Sequence, residues 1–176
     1  MIKIVLPYLL PSNNHLIRMS WHKRLALSKK YNKDIREYCL NNGIELNKPI
    51  IKCNLYLHSY TYRFKDYDNM TGGSKILIDC IKTPIEYVNP RGAVKVKHKD
   101  GLGLIYDDDD EHLAMHFMQF KIKSRECLTE LILMDIDTKL DYETFVPHMP
   151  YERLSETGVY VKTGREDFLP KVKGEY

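Results

Sequence analysis

The chain has 176 residues, with 27 Lys and Arg against 24 Asp and Glu, a net charge of +3, and 43% hydrophobic residues. That length and balance suit one soluble domain able to bury a core of its own. The only apolar run near the start, MIKIVLPYLLPSNN, is broken by prolines, too short to span a membrane and without a small-residue cleavage site. No transmembrane segment, signal peptide or membrane partner is therefore expected, and a cytoplasmic location is. Cys39, Cys53, Cys80 and Cys127 are scattered without a CxxC pair, which predicts reduced thiols rather than a disulfide framework.

Along the chain, Ile2, Ile4 and Leu6 alternate with Lys3 and Val5 and predict a short strand ended by Pro7. A turn-rich segment follows, and Ser28 stands as N-cap of a helix marked by Tyr31, Ile35, Tyr38 and Cys39, stopped at Asn42-Gly43. Ile51, Cys53, Leu55 and Leu57 alternate with polar residues and give the clearest strand signal in the chain. The stretch DYDN at 66–69 reads as a loop, and Ile76, Leu77, Cys80 and Ile81 place a second helix over 73–82. Residues 83–100 read as an inserted ribbon turning at Asn89-Pro90-Arg91-Gly92, before two further strands over 113–123 and 128–135. Beyond about residue 141 periodicity fades. The expected organisation is a domain over 1–140, with the insertion at 83–100, and a C-terminal extension over 141–176. Its fold class is α/β (α+β): a small mixed sheet of about four strands with two main helices.

Charge is unevenly spread. Eight Lys or Arg and one acid, Asp34, lie between Met1 and Arg36, while Arg91, Lys95, Lys97 and Lys99 form a second basic stretch. The acids gather in DDDDE at 107–111. Basic surface beside a compact acidic cluster suits a protein that grips a polyanion and holds metal ions against it. Solvated helix faces would give the same composition.

Asp66 and Asp68, two apart, share one face of an extended segment, where like charges repel unless bridged by a cation. A hard cation such as Mg²⁺ takes one or two protein carboxylates and leaves positions for water and phosphate oxygens, the arrangement of metal-dependent nucleases. A third carboxylate from 107–110 completes such a site if that segment returns beside DYDN. Alternation accepts Asp108 or Asp110 equally. Gly72-Gly73 would let backbone approach an anion, and Lys75, expected in the first helical turn, would meet a phosphate or the leaving oxygen. Each element also has a plain structural alternative: an Asx turn at DYDN, a solvated acidic turn at 107–111, a Lys75–Asp79 helix ion pair, surface histidines at His112 and His116, and an anchoring role for Trp21.

In combination these segments resemble the RusA family of Holliday-junction-resolving endonucleases of phages and prophages. The resemblance covers roughly residues 1–135. It is carried by LPYLLPSNN at 6–14, the basic stretch from Arg18 to Ser28, Asp66-x-Asp68-Asn69 followed by Gly72-Gly73-x-Lys75 and Asp79, and Gly103-Leu104-Ile105-x-Asp107-Asp108. It implies a homodimeric, Mg²⁺-dependent endodeoxyribonuclease, with Mn²⁺ as a substitute, that nicks a four-way junction in pairs inside a bacterial or phage-infected cell. Asp66, Asp68 and Asp108 would be catalytic metal-binding acids, Asp107 a lesser ligand and Lys75 a catalytic or phosphate-positioning base. Asn13, Asn14, Arg18, Lys23, Arg24, Lys29 and Lys30, with Arg91, Lys95, Lys97 and Lys99 of the ribbon, would contact DNA. A nuclease for flaps or forks and a non-catalytic DNA-binding accessory protein are the alternatives.

Overall fold

A computed structural model describes residues 1–122 and 126–138, together with the backbone of the strand Leu154–Thr163. The elements are β1 (Ile2–Leu6), α1 (Asn13–Arg18), α2 (Trp21–Asn41), β2 (Cys53–Thr61), α3 (Tyr67–Ile81), β3 (Ile85–Val88), β4 (Val94–Lys97), β5 (Leu113–Ile122), β6 (Leu128–Asp135) and β7 (Leu154–Thr163). The main sheet has the order β1-β6-β2-β5-β7, and β3 with β4 forms a separate hairpin. Only β2 and β5 run parallel. Parallel neighbours need a long crossover, and α3 followed by the hairpin supplies it.

Alternation divides the sheet's side chains between two faces. Leu55 and Leu57 of β2, Phe117 of β5 and Leu131 and Leu133 of β6 join Tyr31, Ile35 and Cys39 of α2 and Leu77 and Ile81 of α3 in the main core. On the opposite face Tyr60 packs with Phe120 and Ile122, and Tyr56 with Ile132 and Met134. The mixed α/β fold and the hairpin agree with expectation, and all four cysteines are free thiols. Among the described residues no helix is long and apolar enough to cross a membrane.

Four local expectations need correction. The first long helix starts at Trp21, and Ser28 lies inside it with its hydroxyl 3.5 Å from Cys80 Sγ. Its opening turns carry the exposed Trp21 and Leu25, so no apolar stripe announced them. The second helix starts at Tyr67, because Asp66 acts as N-cap and accepts the Asn69 N–H at 2.8 Å. Asp66 and Asp68 are thus an N-cap and a first-turn residue, not two positions of an extended segment, and Lys75 lies two turns further on. Residues 109–112 form a turn and β5 begins only at Leu113, so strand alternation does not apply to the aspartate run. Finally, β7 falls within the region read as an extension and adds a fifth strand to the sheet, on β5. Residues 141–153 and 164–176, the rest of that extension, lie outside the described residues, as do 123–125 and 139–140.

Candidate functional site

The glycine pair sits in the middle of α3. A Cβ on Gly73 would overlap the carbonyl oxygen of Pro11, and one on Gly72 would overlap the Asn13 side chain. These glycines therefore admit the 11–14 segment against the helix rather than an anion. Asn69 pins the same contact, since its Oδ1 accepts the Asn14 N–H at 3.0 Å and its Nδ2 donates to Asp66 Oδ2 at 2.8 Å.

At the other end, α3 leaves carbonyls that need donors. The N–H groups of Leu102, Gly103 and Leu104 donate to Cys80 O, Lys82 O and Ile81 O at 2.9, 2.9 and 2.8 Å, and Ile105 N–H also reaches Ile81 O at 3.1 Å. Leu102, Leu104 and Ile105 are buried. Gly103 has φ of 63° and lies where a Cβ would stand 2.6 Å from Asn47 Cα, so glycine is required there. The Gly-Leu-Ile segment thus closes the helix end and delivers the two aspartates that follow.

They arrive at Lys82, the C-cap residue of α3, whose side chain is only 4% exposed. Its Nζ lies 2.6 Å from Asp108 Oδ1, 2.9 Å from Asp79 Oδ1 and 3.6 Å from Asp107 Oδ1. Lys97 of the hairpin donates to Asp107 Oδ2 at 3.0 Å, and Lys75 Nζ stands 3.9 Å from Asp108 Oδ2. His98 Nε2 is 3.6 Å from Asp107 Oδ1. Burial opposes the charge on Lys82, but Asp108 and Asp79 outweigh it and raise its pKa above the ordinary lysine value. Burial likewise opposes the charge on Asp107, and the Asp108 N–H and Lys97 overcome it, holding this carboxyl well below the usual range. Burial and the neighbouring Lys82 lower the His98 pKa and favour its neutral ring.

Of the residues singled out from the sequence, Asp107, Asp108, Lys75 and Lys97 are brought together here. Asp66 and Asp68 are not among them: both are exposed near the start of α3, and along the axis Asp68 lies about 16 Å from Asp79 at 1.5 Å per residue. The alternative Lys75–Asp79 pair is not formed: Lys75 faces Asp108, and Lys82 takes Asp79. The residue missed was Lys82, and its three-residue spacing from Asp79 was the available signal.

Among the described residues, no group of three or more His, Cys, Asp or Glu side chains converges where it could hold a metal ion. Asp66 spends both oxygens on Asn69, and Asp108 spends one on Lys82. As placed, these side chains do not fit a bound Mg²⁺, which needs carboxylate oxygens converging on one point.

The expected DNA-contacting residues divide in two. Arg24 donates to the carbonyls of Leu16 and Ile17 at the end of α1, and Lys30 pairs with Asp34 at 2.6 Å while lying 3.3 Å from the centre of the Tyr8 ring. Asn13 and Asn14 are held against α3, as described above. Arg18, Lys23, Lys29, Arg91, Lys95 and Lys99 are exposed. Lys29 also lines a shallow groove of about 350 Å³ with Leu25, Asn32, Lys33 and Arg36.

Comparison of the chain with protein families, with curated proteins and with solved structures finds no match.

Proposed function

We propose that the protein is an endonuclease of the RusA kind that acts on branched DNA, four-way junctions first, as a homodimer and with a requirement for Mg²⁺ that Mn²⁺ can meet. One observation carries this reading: the second acidic segment folds onto the helix that bears the first, with Asp108 Oδ2 3.9 Å from Lys75 Nζ. Lys75 is 70% exposed, so its ammonium is accessible to a phosphate from solvent. The exposed charges of Arg18, Lys23 and Lys29 on one side and of Arg91, Lys95 and Lys99 on the other suit a duplex backbone held without reading its bases. Two copies related by a twofold axis would match the pseudo-twofold symmetry of a junction.

A second reading is a non-catalytic branched-DNA-binding protein, and the lack of converging carboxylates among the described residues favours it. Labelled junction, fork, flap and duplex, incubated side by side with and without Mg²⁺, separate the two. Paired nicks in the junction that need Mg²⁺ support the nuclease, whereas tight binding without nicking supports the accessory. Within the nuclease reading, Asp108→Asn abolishes nicking and leaves junction binding intact in Ca²⁺, while Asp110→Asn keeps most activity. The reverse pattern would mean that Asp110 and not Asp108 is the essential acid.

A further inference from the structure

Trp21, the one tryptophan of the chain, opens α2 and is 68% exposed, so it anchors no loop to the core. Its ring meets that of the neighbouring His22 at 5.1 Å. Leu25, Lys29, Lys33 and Arg36 follow it at the spacing that sets side chains in one stripe along a helix. These four are exposed and line the same shallow groove of about 350 Å³, in which Asp100 is the acidic member of the lining. From Trp21 to Arg36 the stripe is about 22 Å long at 1.5 Å per residue. Its positive charge is little opposed. The sole acid between Trp21 and Arg36 is Asp34, which Lys30 and the Tyr8 hydroxyl each engage at 2.6 Å. Lys33 lies 3.7 Å from Glu37, but both side chains are largely exposed, and such a pair leaves the ammonium accessible to a phosphate.

We propose that this stripe is a track for unpaired DNA, with one base stacked on Trp21 and the phosphates beyond it running along Lys29, Lys33 and Arg36. The inference rests on the reading above for DNA as the ligand and deepens it by naming a single strand as what α2 holds. An exposed indole followed by a row of cations is the chemistry that takes single strands: the ring stacks on a base and the cations follow the backbone. A duplex does not suit the same surface. Its bases are stacked on one another and offer Trp21 no free face, and one row of cations on one helix matches one backbone rather than two. Leu25, between the ring and the first cation, presents an apolar surface to the sugar. Stacking accepts any base, so the track reads no sequence. Branched DNA supplies the ligand where its arms part and bases lose their partners.

Because Trp21 is the only tryptophan, the selectively excited indole emission of the full chain reports on this position alone. A short oligothymidylate quenches that emission on binding. A duplex of the same length and a base-free deoxyribose-phosphate oligomer leave it nearly unchanged. Fluorescence anisotropy of the labelled oligothymidylate then separates the two parts of the track. Trp21→Ala binds about tenfold more weakly with the salt slope preserved, while Trp21→Phe, which keeps a ring, retains most of the affinity. Lys33→Ala with Arg36→Ala flattens the slope of log K against log salt by roughly 1.4 units, two contacts at about 0.7 each on a single strand. Emission unmoved by oligothymidylate, or quenched equally by the base-free oligomer, overturns the proposal, as does wild-type affinity in Trp21→Ala. Equal quenching by duplex means that α2 takes paired DNA, and the single-strand assignment fails. Junction binding without any change in emission sinks this inference and leaves the DNA reading standing, whereas binding of no DNA at all sinks both.

Discussion

At Glu130 a carboxylate with no solvent exposure sits on the sheet face that points away from Leu131 and Leu133. An isolated charge there would cost several kcal/mol, so it must be matched. Lys3 Nζ lies 2.8 Å from Oε1, and His58 Nδ1 and the Tyr60 hydroxyl, which donates, meet Oε2 at 3.0 and 3.1 Å. Burial pushes the Glu130 pKa up, but His58 and Lys3 overcome it and the net shift is downward from the ordinary 4.5. A folded-state pKa below the unfolded one means that the ionised form stabilises the fold above about pH 4.5 and that this contribution fades as pH falls through the lowered value. Glu130→Gln should therefore destabilise the protein at pH 7 by about 3–5 kcal/mol, the usual cost of removing one partner of a buried pair. The gap from wild type should narrow towards pH 3, as read from urea unfolding at each pH. A gap independent of pH would show that shape, not charge, holds the site. Nothing in the sequence gave this cluster away: β1, β2 and β6 bring Lys3, His58 and Glu130 together from up to 127 residues apart, and only strand register pairs them. Lys82 was hidden for a related reason. One of its partners is local, but Asp107 and Asp108 reach it across the whole hairpin insertion.

Elements with a strong apolar period were legible; those fixed by polar contacts were not. The alternation in β2 and the apolar stripe of α3 predicted both elements, and the turn at 89–92 predicted the hairpin, because burial on one face dictates such patterns. The start of α3 escapes the sequence reading because DYDN reads as a loop and the glycine pair as a close approach to an anion at the helix start. Glycine inside a helix costs about 1 kcal/mol each relative to alanine, which makes Gly72-Gly73 look unhelical until the tertiary contact is known. That contact yields a prediction. Gly73→Ala improves intrinsic helix propensity, yet its Cβ would overlap the Pro11 carbonyl oxygen, a backbone atom that cannot rotate aside. Overpacking costs of about 1–3 kcal/mol should prevail, and the variant should unfold at lower urea concentration than wild type. Gly72→Ala meets the Asn13 side chain, its Cβ at 2.7 Å included, rather than a backbone oxygen at 2.0 Å, and should lose less. If Gly73→Ala is instead the more stable protein, the 11–14 segment does not rest on α3, and the route by which Asn13 and Asn14 reach the helix is different.

Across the whole molecule, the net charge of +3 conceals a segregation: exposed Lys and Arg on α2 and the hairpin flank an acidic cluster that its own lysines neutralise. A DNA backbone approaching that surface meets positive charge that is free on the hairpin at Arg91, Lys95 and Lys99 and committed at Lys97, whose ammonium holds Asp107 at 3.0 Å. The sequence made the four look alike, and the structure separates them. Each phosphate contact made by a free cation releases condensed counterions and contributes about 0.9 to the slope of log K against log salt concentration on duplex arms. Replacing Arg91, Lys95 and Lys99 together by Ala should therefore weaken junction binding and flatten that slope by up to roughly 2.7 units, three contacts at about 0.9 each. Lys97→Ala should change the slope by less than the average of those three, because its charge already has a partner, and should lower thermal stability, because Asp107 loses one. Fluorescence anisotropy over a salt series, paired with thermal unfolding of each variant, measures both. An unchanged slope in the triple variant would return the hairpin to the role of solvated surface. A slope change in Lys97→Ala as large as that of a free lysine would show that its pair with Asp107 opens to admit the DNA.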